Sequence, residues 1–452
     1  MNYEDFIAKK GVRHLEHGLK AVPPMPDCLF DFQKTVTEFA LKKGRAALFL
    51  DTGLGKTRCQ VVWAQNVPGK KLILAPVAVA PQTVREAKSI GVDVFHSRDG
   101  TIGDGITITN YERLHLFDTA QFTGVVLDES SILKSFMGKT KTMLCEQFSQ
   151  TPFRLCCSAT PAPNDYMELG NHSDFLGVMP SNEMLTRWFI NDTMNFGGYR
   201  LKGHAVQSFW EWVASWAACA GKPSDAGGDD TKYILPELTA RLHCVESPME
   251  SDADDGWLFK AAQLTATTMH REKRDTLKQR VEKAVELSAG KDFALIWCES
   301  NLESAALHAA IPDSVEVVGS DSPDSKEEKL ESFSAGKVRV MVTKASIAGF
   351  GLNWQHCNHV IFASLSYSYE QFYQAIRRSW RFGQKRPVHV DAIISNSEQS
   401  IWQTIQRKLS AHDQMKDAMK FASMDRQRSH TIKQTYKPTH EGKLPLWIHN
   451  SH

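Results

Sequence analysis

The strongest constraint on this chain is a series of short apolar runs that are continuous rather than alternating. They lie at 45–50 (RAALFL), 71–75 (KLILA), 106–109 (ITIT), 124–127 (GVVL) and 153–157 (FRLCC). Unbroken apolar runs of this length suit strands buried on both faces. Helix-like segments separate them, for example 33–43 and 56–65. Strand–helix alternation predicts an α/β fold with a doubly wound parallel sheet. The pattern then repeats. A second series has strand candidates at 293–298, 315–318, 338–343, 359–363 and 388–394, with helix candidates at 302–310, 326–333 and 369–381. Two α/β lobes of similar size are expected.

Between them the character changes. Over 176–230 the chain concentrates Trp188, Trp210, Trp212 and Trp216. Phe209, Trp212, Val213 and Trp216 fall on one helical face. The expectation is a helical insertion with its own small core; the alternative is an aromatic surface for DNA or a partner protein. The segment 224–230 (SDAGGDD) reads as a flexible loop. The expected layout is a first lobe over 1–245 including this insertion, a helical linker at 246–285, a second lobe at 286–412 and a polar tail at 413–452. That tail is expected to be disordered or a docking arm for a protein partner.

Charge narrows the classes. Lys and Arg number 53 against 52 Asp and Glu, a net +1, which excludes a uniformly basic nucleic-acid binder but not a local basic surface. No apolar run is long enough to span a bilayer, and the N-terminal residues lack the apolar core of a signal peptide. A cytoplasmic protein without membrane partners is expected. The nine cysteines include no C-x-x-C pair, so Cys156 and Cys157 read as buried free thiols. His14 and His17 form an H-x-x-H without further ligand candidates nearby.

Two motifs carry chemistry. Residues 50–57 (LDTGLGKT) sit where the first strand meets a helix, the setting of a phosphate-binding P-loop. Gly53 and Gly55 let the backbone wrap phosphates, and the helix N-terminus adds aligned N–H dipoles. Lys56 would reach the β- and γ-phosphates, and Thr57 would coordinate Mg²⁺. Leu50 stands where the motif has its first glycine. The strand VVL then ends in Asp128 and Glu129. Asp128 is placed to hold Mg²⁺, and Glu129 to activate the attacking water. Together they imply an Mg-ATP hydrolase.

With these in place the chain resembles the superfamily-two helicases and translocases, most closely the Swi/Snf-like branch. Gln33 matches the glutamine that reads adenine, and Leu54 falls within the Gly-Leu-Gly-Lys-Thr of motif I. LILAP (72–76, ending at Pro76) resembles motif Ia, and TITNYERL (107–114), with Asn110 and Tyr111, resembles motif Ib. DESS (128–131) occupies motif II, with Ser131 where relatives have His. SATPAPN (158–164), with Ser158 and Thr160, resembles motif III, and 235–247 resembles the crossing segment after the first lobe. In the second lobe AGFGLN (348–353), with Gly349, Gly351 and Asn353, resembles motif V; QAIRRSWRFGQ (374–384) resembles motif VI.

The resemblance implies two tandem RecA-like lobes with ATP and Mg²⁺ between them. Gln374, Arg378 and Arg381 would act from the second lobe, the two arginines as arginine fingers sharing one helix face. Arg377 replaces a glycine common in relatives and receives no role. Motifs Ia, Ib, III and V would contact the nucleic-acid backbone. The expected function is a compact DNA translocase of bacterial or bacteriophage type, moving on duplex DNA with RNA as an alternative track. A strand-separating helicase is one alternative, and an ATP-gated assembly subunit acting on a partner protein is another.

Overall fold

The structure, a computed structural model, describes residues 17–77, 79–135, 138–192, 198–231, 233–246, 266–348 and 352–428. The first lobe opens with α1 (Asp31–Lys43), β1 (Arg45–Leu50) and α2 (Lys56–Asn66). It continues through β2 (Lys71–Ala75), α3 (Ala80–Ser89), β3 (Val94–His96), β4 (Ile106–Asn110), β5 (Gly124–Asp128), α4 (Lys139–Gln147) and β6 (Phe153–Cys157). After α5 (Leu169–Leu176) and α6 (Ser181–Trp188) come an antiparallel hairpin of β7 (Phe189–Asp192) and β8 (Gly198–Leu201), then α7 (Val206–Trp216) and β9 (Ala217–Ala220). The main sheet is parallel and seven-stranded, in the order β3-β4-β2-β5-β6-β1-β9.

The unbroken apolar runs have a direct cause. On β1, Ala47 and Phe49 enter one core while Ala46, Leu48 and Leu50 enter the other. Helices cover both faces, so both halves of the strand's two-residue period are buried.

The second lobe contains β10 (Leu238–Val245), α8 (Ala266–Asp275), α9 (Leu277–Ser288), β11 (Ala294–Cys298) and α10 (Asn301–Ala310). It continues with β12 (Ser314–Val317), α11 (Pro323–Ser334), β13 (Val340–Lys344), α12 (Ala345–Ala348), β14 (His359–Phe362), α13 (Tyr369–Ile376) and β15 (Val388–Ser395). Its parallel sheet runs β10-β15-β14-β11-β13-β12. A long helix, α14 (Gln399–Arg428), follows. Two parallel α/β lobes of RecA-like type are therefore present, as the alternation predicts.

The parts outside the repeating pattern differ from expectation. The Trp-rich segment is not an insertion with a separate core. Its aromatic side chains pack in the same cluster as Phe49, Leu72 and Leu127 of the main sheet. Trp188, Trp210, Trp212 and Trp216 are all buried, so they form no aromatic surface for DNA or a partner. Just after them, β9 extends the sheet beside β1, pairing Ala47 with Ala217 through Leu50 with Ala220. The loop at 224–230 is ordered: Asp225 accepts from Gly221 N and Lys222 N, and Asp230 accepts from Ser224.

The boundaries shift too. β10 pairs with β15 along its whole length, Leu238 with Val388 through Val245 with Ser395, so the second lobe begins before 245. The described part of the expected linker also packs on this lobe. Arg280 of α9 is fully buried, 2.5 Å from Glu398, and donates to the carbonyls of Ala363 and Ile393. The expected tail start at 413 falls inside α14, which returns to the first lobe. Met415, Met419 and Ala422 join the cluster around Phe209 and Trp212. Residues 429–452 of that tail, 247–265 of the linker and His14 lie outside the described residues.

Candidate active site

The loop between β1 and α2 faces the second lobe. Gly53 and Gly55 have φ of 91° and 77°, left-handed values that favour glycine. A Cβ on Gly53 would lie 3.1 Å from the Phe382 backbone nitrogen, and one on Gly55 would lie 2.2 Å from Gln33 Nε2. Gln33 braces this loop: its Nε2 donates to Leu54 O at 2.9 Å, and its Oε1 accepts from Phe30 N at 3.0 Å. Lys56 Nζ donates to Leu50 O at 3.0 Å. Leu50 thus serves through its carbonyl, which a leucine supplies as well as a glycine.

One wall of the cleft is acidic. Asp128 ends β5, and its Oδ1 accepts from Gln60 Nε2 at 2.7 Å and Glu129 N at 3.1 Å. Glu129 has φ 55° and ψ 55°, the one non-glycine residue with positive φ among those described. Such strain clusters at functional sites. Its buried Oε2 has no hydrogen-bond partner among the described residues. Burial raises the pKa of both carboxyls, against the opposing pull of Lys56.

The facing wall is basic. α13 ends at Ile376, and Arg377–Arg381 form turns, so the expected helix to 381 is too long. Arg378 and Arg381 converge by another route. Nη1 of each donates to Leu352 O, at 3.1 and 3.0 Å. Burial lowers the pKa of each; for Arg378 the next cause is Arg381. Arg381 Nε and both polar atoms of the Gln374 side chain are buried without partners among the described residues.

The walls enclose a cavity of about 470 Å³, within the range of small-ligand sites. It is lined by Gln33, Gly53, Gly55, Lys56, Thr57, Asp128, Glu129, Arg378 and Arg381, among others. Asn353, expected on the nucleic-acid track, also lines it. At its far end Tyr233 stacks on Phe382, with centroids 4.4 Å apart, and Phe30 meets Tyr233 edge-on.

The other track candidates divide. Asn110 caps a short helical turn by accepting from Arg113 N, and Tyr111 donates its hydroxyl to Asp128 O at 2.7 Å. Ser158 accepts from Thr160 N, and both residues are buried. Pro76 is half-buried just beyond the end of β2. Leu54 is buried beneath the loop. Gly349 and Gly351 lie outside the described residues. Sequence reasoning missed Gln60, which is one helical turn beyond Lys56 and orients Asp128. It also missed Tyr233 and Phe382, although Phe382 lies inside the motif VI segment.

Comparison with known proteins bears on the second lobe. Residues 272–383 match the helicase conserved C-terminal domain. An 83-residue stretch, 18% of this chain, is 35% identical to the bifunctional helicase and thymine dioxygenase JBP2 of Leishmania braziliensis. The protein of the same name from Leishmania infantum matches equally. In each case the match spans 8% of the relative's length. No helix among the described residues is long and apolar enough to cross a membrane. The domain match makes the second lobe helicase-like, of the kind found in superfamily-one and superfamily-two helicases, a class of nucleic-acid enzymes.

Proposed function

We propose that this chain is a nucleic-acid-dependent ATPase that couples ATP hydrolysis between its lobes to movement on DNA. One observation carries the reading. Groups of opposite charge that form no ion pair among the described residues, Glu129 on one side and Arg378 with Arg381 on the other, face a single cavity beside Lys56, with Glu129 Oε2 and Arg381 Nε buried and unpartnered there. Buried charge is costly unless paired. A ligand with an anionic phosphate chain and a bound cation answers both walls at once.

The residues fit Mg²⁺. Asp128 and Thr57 would hold it, and one or two protein ligands suffice because Mg²⁺ takes its others from phosphates and water. When bound, it supplies charge neutralisation at the phosphate oxygens. The chain's own groups do the rest. Lys56 leaves Leu50 O for the phosphates, and loop amides cradle them. Glu129 orients and deprotonates water. Arg378 and Arg381 stabilise charge that grows in the transition state. Gln33 and the aromatic pair Tyr233/Phe382 suit the base.

Because the ligand bridges both walls, it favours the closed arrangement, the differential affinity a motor needs. Measuring ATPase rates with duplex DNA, single-stranded DNA and RNA tests this. Stimulation by duplex DNA and displacement of a third strand without unwinding are expected; a rate indifferent to every nucleic acid would sink the proposal. The helicase-domain match favours strand separation as a second reading, which efficient unwinding of a forked duplex would establish.

A further inference from the structure

Arg377, the residue without a role in the resemblance, makes the closest ion pair between the lobes among the described residues. Its Nη2 lies 2.5 Å from Asp51 Oδ2. Asp51 belongs to the phosphate loop and is 7% exposed. The same Oδ2 is 3.0 Å from Lys416 Nζ of α14. Asp51 Oδ1 accepts from Thr52 N at 2.7 Å and from the Tyr373 hydroxyl. Lys416 Nζ also lies 3.1 Å from Tyr373 Oη. The Arg377 guanidinium sits over the rings of Tyr373 and Trp380, 5.4 and 4.9 Å from their centroids.

We infer that Asp51, Arg377 and Lys416 are positioning residues that hold the phosphate loop and the arginine turn in register, making α14 part of the catalytic unit. The inference rests on the ATPase reading above and extends it to residues outside the cavity.

Three features support it. First, the cluster ties together at one carboxylate three segments far apart in sequence: the loop after β1, the end of α13 and the middle of α14. Second, Arg377 opens the turn that presents Arg378 and Arg381. The turn continues from the end of α13 through bonds from Arg377 N to Tyr373 O and Trp380 N to Ile376 O, so an anchor at Arg377 bears on where those arginines point. Third, Gly53 approaches Phe382 so closely that a Cβ there would meet its backbone at 3.1 Å; a small shift of either segment therefore moves the other.

The electrostatics agree. Burial alone would raise the Asp51 pKa, but Arg377 and Lys416 hold it well below the ordinary carboxylate range. Burial likewise acts to lower Arg377 and Lys416, yet both end above their ordinary values, Asp51 being a cause common to the two. His412, buried against Tyr369 and Tyr373, has neither ring nitrogen bonded among the described residues. Burial lowers its pKa, with Lys416 the next cause, so it stays neutral.

One carboxylate faces two cations. Losing Asp51 would leave like charges together, whereas losing either cation leaves a neutral pair. Arg377→Gln and Lys416→Met are therefore the informative variants, with Lys416→Arg as the conservative control. In the full chain, kcat and KM for ATP should separate: kcat falls about 10²-fold, as for a misplaced catalytic group, while KM changes little. Lys416→Arg should recover most of the rate.

Amide hydrogen exchange, followed by mass spectrometry without nucleotide, reads the same coupling independently of turnover. Lys416→Met should speed exchange at 50–56 and 376–384, far from the substitution in sequence. If wild-type chain hydrolyses ATP and both variants keep its kcat, the inference is wrong. If exchange rises only around 416, it is also wrong. If wild type hydrolyses no ATP with any nucleic acid, the ATPase reading fails, while the exchange result still decides whether Asp51 couples the segments.

Discussion

The two walls of the cleft hold opposite charges in opposite ways. On the first lobe the acids are braced by neutral groups: Gln60 on Asp128 and the Tyr111 hydroxyl on its carbonyl. On the second lobe neighbouring arginines are treated differently. Arg377 forms an ion pair with Asp51, although its Nε lacks a partner among the described residues, while the bonds that Arg378 and Arg381 make among those residues go to carbonyl oxygens. A cation paired with a carboxylate has its charge answered and holds position. A cation left facing a cavity retains its attraction for a ligand. The contrast separates the groups that hold the site together from those that, in the proposed ATPase, would act on phosphates.

The sharpest test of that division is a pair of substitutions across the cleft. Arg381→Ala should cut kcat by about 10³-fold or more, the scale of arginine-finger loss, and leave ATP binding nearly intact. Lys56→Ala should abolish turnover and also weaken binding, because in the proposed ATPase Lys56 would meet the phosphates in the ground state too. Equilibrium binding of a fluorescent ATP analogue beside steady-state turnover checks both. Normal hydrolysis by Arg381→Ala would remove the second lobe from the chemistry.

The first wall depends on support from behind. Trp212 is fully buried in the cluster that joins α7 and the α14 methionines to the main sheet. Trp212→Ala should destabilise the chain by about 3–5 kcal/mol, as for large-to-small core changes, measured by denaturant unfolding. A surface role for this tryptophan predicts almost no change.

The acids give a smaller effect with a definite sign. Burial pushes the Glu129 pKa up from 4.5 to about 7. A general base must be ionised, so kcat/KM should rise with pH through about 7 and fall below it. Stability runs the other way. A carboxyl whose folded pKa is raised stabilises most below its unfolded value, and that contribution is lost as pH rises through about 7. Glu129→Gln should therefore be inactive yet melt a few degrees higher than wild type at pH 8. A flat pH–rate profile, or a lower melting temperature for Glu129→Gln, would deny Glu129 its strained ionised state.

These features were unequally legible in the sequence. The strands around the site could be read because burial on both faces leaves continuous apolar runs, a local signal. The phosphate loop could be read because its glycines, lysine and threonine are adjacent. β9 was hidden: AACA is short, small and weakly β-forming, and it becomes a strand by pairing with β1. β10 was hidden because much of it is exposed at the sheet edge, so Thr239, Arg241 and His243 interrupt its apolar residues. The Trp-rich segment showed a helical face but not what that face packs on. The partnership of Asp51 with Arg377 and Lys416 joins residues hundreds of positions apart, and no local pattern announces it.

An exposed interlobe ion pair marks where the division of labour ends. Arg85 of α3 lies 4.0 and 3.8 Å from Glu327 and Glu331 of α11. It crosses between the lobes as the Asp51–Arg377 pair does. All three side chains are at least half exposed, so water and salt screen the pair and ordering long side chains offsets the gain. Arg85→Ala should change kcat by less than about twofold, near the limit expected of an exposed pair. The same assay should show about 10²-fold for Arg377→Gln. If the two variants were equally harmful, any charge across the lobes would serve to close the cleft. If only Arg377→Gln is harmful, closure depends on where the charge is placed, at the turn that aims Arg378 and Arg381.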